Sequence, residues 1–347
     1  MFYLLYLIVI FSYSFLKKLK NGRKKYCVLT GICYFVVAAL RSNTVGFDTD
    51  IYVSAFNRLA EMPLDAAAVF ADKDVFFWVL LSILGKITSN YTILFSIVAA
   101  LFTISAWHLI YKYSRDPRLS IIVLLAFNLY QFTLTGMRQT IAISFILWAI
   151  DSCYERKVIR SIVFVLLGSI FHSSALAFLV VIGFLFYKKK LNQVSTLTMA
   201  LLLGLAFLFR GYIAKGLIVL IQDRGYEVTI LNGGLTMTFV IFSLFLMGGV
   251  FINEYTFSDK NANLTFFIAS MACFFEMLVS TQSIFFRLAF YFLIIYVIFI
   301  PNIIETIQHN ETKAIVKIGI YILLSIQYLF VTIGSCGVIP YQTFWQV

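Results

Sequence analysis

Charge is what this chain has least of. Asp, Glu, Lys and Arg make up 12% of its 347 residues, against 61% for the hydrophobic set. A soluble globular domain is nearer half apolar and about a quarter charged, so no aqueous core could hide this surface and the bilayer must solvate most of it. Cysteine is sparse and scattered. Cys27, Cys33, Cys153, Cys273 and Cys336 are odd in number and lack any CxxC spacing, which excludes a disulfide framework or a zinc site and leaves small buried hydrophobes. The first apolar stretch has no basic residues before it and no small-residue cleavage site after it, so it reads as a retained helix rather than a signal peptide. Internal repeats, low-complexity tracts and a soluble domain are all lacking, and residues 1–347 read as a single membrane domain.

What is abundant fits the bilayer. The 37 Phe and 20 Tyr suit lipid-facing surfaces and interfacial belts. In lipid every backbone polar group must be satisfied, so the fold class is all-α, a polytopic membrane protein with about 12 helices, some broken or re-entrant. The candidate spans are 2–16, 26–41, 91–111, 119–136, 138–153, 160–172, 174–187, 193–210, 235–253, 262–282, 284–300 and 314–334. Residues 160–172 and 174–187 are short enough to be half-helices. The piece VFFWVLLSILGKI, 75–87, is a re-entrant or interfacial helix or a further crossing.

The net charge of +11 would suggest nucleic acid in a soluble protein. Here it sorts by loops instead, and no nucleic-acid partner is expected. With KKLKNGRKK (17–25) in the cytoplasm and 75–87 not spanning, most Lys and Arg fall inside. Arg41, Arg58, Lys73, Lys86, Arg138, Arg210, Lys215, Arg224 and Arg287 fall outside, and the topology rule does not explain them. Two outer segments are large: 41–90, with a short helix at 51–61, and 210–234. In the latter Ile213, Leu217, Leu220 and Ile221 form an apolar face that could lie on the membrane, with Lys215 and Arg224 toward water.

Four polar islands stand at outer helix ends: Arg41 with Gly46, Asp48, Asp50 and Tyr52; Gly136-Met137-Arg138-Gln139; Phe171-His172-Ser173-Ser174; and Gln282 through Arg287. They are distant in sequence, yet this topology puts all of them on one face. Guanidinium groups bind phosphate oxygens in planar fashion and keep their charge, so several of them beside a membrane suit a diphosphate. If that diphosphate leaves, the same groups stabilise the charge that develops. A sugar hydroxyl becomes a nucleophile when a carboxylate or imidazole takes its proton; Asp48, Asp50, His172 and Glu276 are the available groups. Bland readings stand beside these. Arg41 also suits an interfacial anchor, His172 a packed core histidine, and Arg287 a buried ion pair with Glu276. Asp48-Thr49-Asp50 has the D-x-D form, but Asp65, Asp72 and Asp74 are dispersed and supply no second acidic cluster, so no metal is expected. His108 and His309 read as cytoplasmic-end residues, and Asp151 and Glu155 as partners of Arg156 or Lys157.

These islands resemble the EpsG family, the Wzy-type polysaccharide polymerases of bacterial capsule, exopolysaccharide and O-antigen pathways. The matching residues are Arg41, Gly46, Asp48 and Tyr52; Arg138, Gln139 and Ala142; Phe171, His172, Ser173, Ser174 and Leu176; and the C-terminal VIPYQTFW. The resemblance implies a GT-C-like membrane fold in the bacterial inner membrane with an active site facing the periplasm. It implies transfer of a growing glycan from undecaprenyl pyrophosphate to a lipid-linked repeat unit, without nucleotide sugar, metal or cofactor. It also implies partners from the same pathway, a chain-length regulator and a flippase. Arg41, Arg138 and Arg287, with Arg210, would then hold the pyrophosphate, Tyr52 and Gln139 would contact substrate, and Asp48, Asp50 or His172 would be the base. An O-antigen ligase uses the same donor on another acceptor. A membrane O-acetyltransferase using His172 would need an early Arg/His motif that is not present. A flippase or transporter of lipid-linked oligosaccharide would carry charges at mid-membrane depth or on both sides, whereas these gather on one.

Overall fold

In a computed structural model of the chain, the described residues are 1–65, 74–187, 193–219, 237–251, 261–282, 284–334 and 336–346. They are helical throughout and contain no strand, only an isolated bridge between Arg41 and Thr343. Three helices are long and apolar enough to cross a membrane, Thr92–Tyr113, Ala262–Val279 and Asn310–Phe330, and two bent helix pairs bring the number to five. The protein is an all-α membrane protein.

The chain divides into two compact units, Met1–Leu176 with Ala314–Val347, and Ala177–Lys313. The first unit carries α1 (Phe2–Leu16), α2 (Gly22–Ala39), α3 (Thr49–Glu61), α4 (Val75–Ile87), α5 (Thr92–Tyr113), α6 (Pro117–Ala126), α7 (Leu129–Thr133), α8 (Met137–Tyr154) and α9 (Val158–Phe171). A 3-10 turn, Ser173–Phe178, follows. The second unit carries α10 (Leu179–Phe184), α11 (Gln193–Leu208), α12 (Arg210–Val219), α13 (Met237–Phe251), α14 (Ala262–Val279), α15 (Phe285–Leu293) and α16 (Tyr296–Glu305). Helix α17 (Asn310–Gly334) leads back into the first unit.

Local chemistry sets several boundaries. Asp116 caps α6 by accepting from the amides of Arg118 at 3.1 Å and Leu119 at 3.2 Å, with Pro117 at the first helical position. Asn90 accepts from the Thr92 amide at 3.0 Å at the head of α5. The expected span 119–136 is two helices, because Asn128 turns left-handed with φ 60° while its side-chain Nδ2 donates to Cys336 Sγ at 3.0 Å. The expected half-helices prove to be α9 and the 3-10 turn with α10. Helix α4 has 13 residues, about 20 Å, well short of the ~30 Å hydrocarbon core.

Helices α2 and α5 run antiparallel. Trp107 Nε1 donates to Thr30 at 2.9 Å, and the Arg23 guanidinium reaches the Tyr111 carbonyl at 2.6 Å. Asp151, in the last turn of α8, accepts from Lys112 at 2.7 Å and Tyr113 at 2.8 Å and lies 3.3 Å from His108 Nε2. The partner anticipated for Asp151, Arg156 or Lys157, is therefore replaced by residues of α5. A buried aspartate is compensated by the neighbouring helix that packs on it, not by the loop that follows it. Glu155 does pair with Lys157, at 2.7 Å, and also with Lys112 at 2.6 Å.

In the second unit, Ala214 and Ile218 of α12 are buried against Met277, Leu278 and Phe285, with Ile213 and Leu217 half-buried at their flank. Of the apolar face expected to lie on the membrane, Ile213 and Leu217 thus pack on protein. Lys215 is exposed, as expected, while Leu220, Ile221 and Arg224 lie outside the described residues.

Candidate active site

The first island is a tight loop laid on the second. Gly46 has φ 104°, a conformation open to glycine, and a Cβ there would lie 2.4 Å from the Leu134 carbonyl oxygen. Thr49 donates to that same carbonyl at 3.0 Å, and the Asp48 amide donates to Thr135 Oγ1 at 3.0 Å. The loop is backed by the C-terminal segment. Ser42 N donates to the Gln342 carbonyl at 2.9 Å, Gly46 N to the Gly337 carbonyl at 2.9 Å, and Phe344 N to the Leu40 carbonyl at 3.0 Å. The VIPYQTFW motif is therefore a strap behind the loop that holds Arg41, Asp48 and Asp50.

Arg41 is buried to 1% exposure. Its guanidinium donates to the Ala38 carbonyl, the last turn of α2, and to the Leu134 carbonyl at 3.2 Å, and it lies over the Phe95 ring at 4.1 Å. Among the described residues no carboxylate pairs with it. Carbonyls at a helix C-terminus carry partial negative charge, which is what a buried guanidinium without a carboxylate needs. Asp50 is exposed and accepts from Asn43 at 2.9 Å, and Asp48 is half-buried. Tyr52 and Gln139 are buried.

The second and third islands meet on a residue outside all four, Asp74. Its Oδ2 lies 3.2 Å from Arg138 Nη1 and 3.0 Å from His172 Nδ1, and the Ser173 amide points at its Oδ1 from 3.4 Å. Asp74 and His172 are nearly dry, with side chains 6% and 10% exposed, whereas Arg138 is 26% exposed. Each position has a local cause. Asp74 is the residue before α4 and sits left-handed at φ 57°, a strained conformation that Asp tolerates better than most. Arg138 is in the first turn of α8, after Gly136. His172 ends α9 in extended geometry, its amide closing the last turn on Gly168 at 3.0 Å.

An apolar floor holds these ends together. Tyr52, Phe56, Phe77, Leu81, Phe95, Met137 and Ile141 form one buried cluster from α3, α4, α5 and α8, with Trp78 and Phe171 packed on it. The Arg138 guanidinium lies over Trp78 at 5.5 Å, and Trp78 is 6.4 Å from Tyr52, ring to ring.

The electrostatics follow from this packing. Burial by itself pushes the Asp74 carboxyl up. The hydrogen bond and charge of His172, the Arg138 guanidinium and the Ser173 amide outweigh it and hold the group below the ordinary carboxylate value. An ionised carboxylate only accepts, so His172 Nδ1 is the donor, and in the neutral ring Nε2 carries the lone pair. The trio thus offers a base at Nε2, a carboxylate that orients it, and a wet guanidinium.

Three of the expected site residues lie in the second unit. Arg210 stands at an 80° bend between α11 and α12, donating to the Phe207 carbonyl at 3.1 Å. Glu276 is buried in α14 and accepts from Thr238 at 2.5 Å. Arg287 is exposed in the first turn of α15. Sequence reasoning missed Asp74, which looked like one of three dispersed acids. Its signal is position: an acid immediately before VFFW, at the mouth of an apolar helix on the side that holds unexplained arginines.

A family model described as the EpsG family matches residues 24–343. No curated protein and no solved structure matches the chain.

Proposed function

Because the chain belongs to the EpsG family, we propose that it is a membrane polysaccharide polymerase working on lipid-linked repeat units, with Asp74, Arg138 and His172 at its centre. The observation that carries this is the placement of one carboxylate 3.0 Å from a histidine and 3.2 Å from an arginine, at the ends of three different helices.

In the proposed reaction the acceptor sugar hydroxyl gives its proton to His172 Nε2 as its oxygen bonds to the anomeric carbon of the donor glycan. The bond from that carbon to the pyrophosphate of an undecaprenyl carrier breaks, and the electron pair leaves with the phosphate. Asp74 keeps the imidazole in the right tautomer and stabilises the imidazolium that forms. Arg138, the most exposed of the trio, stabilises charge on the departing phosphate. Asp48, at the end of the neighbouring loop, and Asp50, in the first turn of α3, would contact acceptor sugar. Arg41 acts as a frame residue that fixes the loop, rather than as a phosphate ligand, since it is buried and both terminal nitrogens of its guanidinium donate to backbone carbonyls. The accompanying arrangement is about 12 crossings of the bacterial inner membrane, some broken, with this site on the periplasmic side. A chain-length regulator and a flippase of the same pathway would be its partners.

The test is in vitro polymerisation on lipid-linked repeat units, with cysteine accessibility at positions 48, 138 and 172 to place the face. Arg138→Ala and His172→Ala should each abolish chain growth while the protein still folds; full activity in both would overturn the proposal.

A further inference from the structure

A guanidinium is a planar fork with several N–H groups. In Arg138, among the described residues, only Nη1 makes a hydrogen bond or ion pair, to Asp74 at 3.2 Å. One contact at a corner fixes a point and leaves the plane free to swing about it. Two parallel N–H groups grip a phosphate only when that plane is set in advance.

Helix α4 brings two residues to Arg138, one turn apart. Asp74, immediately before the helix, takes an edge of the guanidinium, and Trp78 takes a face. The Arg138 Cζ stands 5.5 Å from the centre of the Trp78 ring, within the reach of a cation–π contact, and indole is the strongest aromatic partner for one. The indole is itself braced. Phe77 meets it edge-on at 5.6 Å, and Tyr52 of α3 lies 6.4 Å from it at 45°. Phe77 and Tyr52 are buried in the cluster beneath, on which Trp78 packs. Tyr52, expected to contact substrate, is 4% exposed and faces the indole instead.

We infer that Trp78 and Tyr52 are positioning residues for phosphate binding. The Trp78 indole sets the plane of Arg138, Tyr52 sets the indole, and the guanidinium edge that Asp74 leaves free grips the pyrophosphate of the lipid carrier. This rests on the phosphate role proposed for Arg138 and names what keeps that residue in the working orientation. A packing role alone would couple Trp78 to its apolar cluster and not to Arg138, and any apolar side chain that fills the space would serve.

The experiment uses the full-length purified protein. It measures the donor KM in glycan extension on lipid-linked repeat units, and the inhibition constant of inorganic pyrophosphate in the same assay. Trp78→Leu should raise both constants together, by about two- to fivefold, and lower kcat by less. Trp78→Phe keeps an aromatic face and should stay within about twofold of wild type. Trp78→Met fills the space without a ring and replaces the leucine variant if that one does not fold. Tyr52→Phe should behave as wild type. Tyr52→Leu should raise the same two constants and add little to Trp78→Leu, because the two rings act on one group. In an Arg138→Lys background Trp78→Leu should change neither constant, since an ammonium has no plane to orient. Wild-type constants in Trp78→Leu beside a defective Arg138→Ala would overturn the role of Trp78 alone. So would a Trp78→Leu loss that is the same size in the Arg138→Lys background, or no larger than that of Trp78→Phe. Wild-type pyrophosphate inhibition in Arg138→Ala would overturn the phosphate role of Arg138 itself, and the positioning role with it.

Discussion

Asp74→Asn is the substitution that separates a working dyad from a structural contact. The side chain keeps its shape and loses its charge. Three contacts are at stake: His172 Nδ1 at 3.0 Å, Arg138 Nη1 at 3.2 Å and the Ser173 amide at 3.4 Å. The amide of an asparagine donates to Nδ1 as readily as its carbonyl accepts, and donation puts the imidazole proton on Nε2, where the base must be. A positioned base contributes about 10²–10⁴ in rate, so losing its orientation should slow chain growth by at least about 100-fold. Hydrogen bonds to charged groups contribute roughly 1.5–3 kcal/mol each when buried. The His172 contact is buried and counts in full; the Arg138 contact is partly wet and counts for about 1 kcal/mol or less. A stability loss of about 2–4 kcal/mol follows. Initial rates of glycan extension on lipid-linked repeat units give the first number and thermal unfolding in one detergent the second. The double variant Asp74→Asn with His172→Ala should be no slower than His172→Ala alone, because residues that act as a unit are not additive. An Asp74→Asn rate within twofold of wild type, or a double variant whose deficit is the product of the two singles, would refute the reasoning.

Other outcomes follow from the same packing. The Asp74 carboxyl is held below its ordinary value, so its native interactions stabilise fully above the unfolded pKa, about 3.9, and fade as pH falls through the lower native one. The gap in unfolding midpoint between wild type and Asp74→Asn should be constant from pH 7 to about 5 and shrink below that. Gly46→Ala puts a methyl 2.4 Å from a carbonyl oxygen at φ 104°, and should destabilise by about 2 kcal/mol or more in thermal unfolding. Arg41→Met should lower the unfolding midpoint by leaving the Ala38 carbonyl without its guanidinium donor and the Leu134 carbonyl with Thr49 alone. It should leave the KM for donor lipid near wild type, whereas Arg138→Lys should raise it. Asp151→Asn, at the other end of α8, should cost about 1–3 kcal/mol of stability and leave the rate per folded molecule unchanged.

Much of the site was legible as islands, and the reason is solvent. In a chain this apolar each polar group costs free energy unless it has a task, so Arg138 at the head of a span and His172 between two short helices stand out against their neighbours. The family membership expected from those islands is borne out over most of the chain. What each residue does was less legible. Arg41 looks like Arg138 on paper, but one is buried among carbonyls beneath a C-terminal strap and the other is half-wet beside an aspartate. Asp151 was matched with the cations next to it in sequence, although a helix brings its neighbour's side chains closer than its own loop's.

Composition alone decides that this protein lives in a bilayer and is built of helices, because backbone groups in hydrocarbon must bond within their own segment, and that constraint is local. The pairing of charges is not local. Asp74 reaches Arg138 across 64 residues and His172 across 98, over a floor of aromatic rings drawn from four helices. Hydrophobic burial chooses which helix ends meet, and only then does one of three scattered acids acquire two partners.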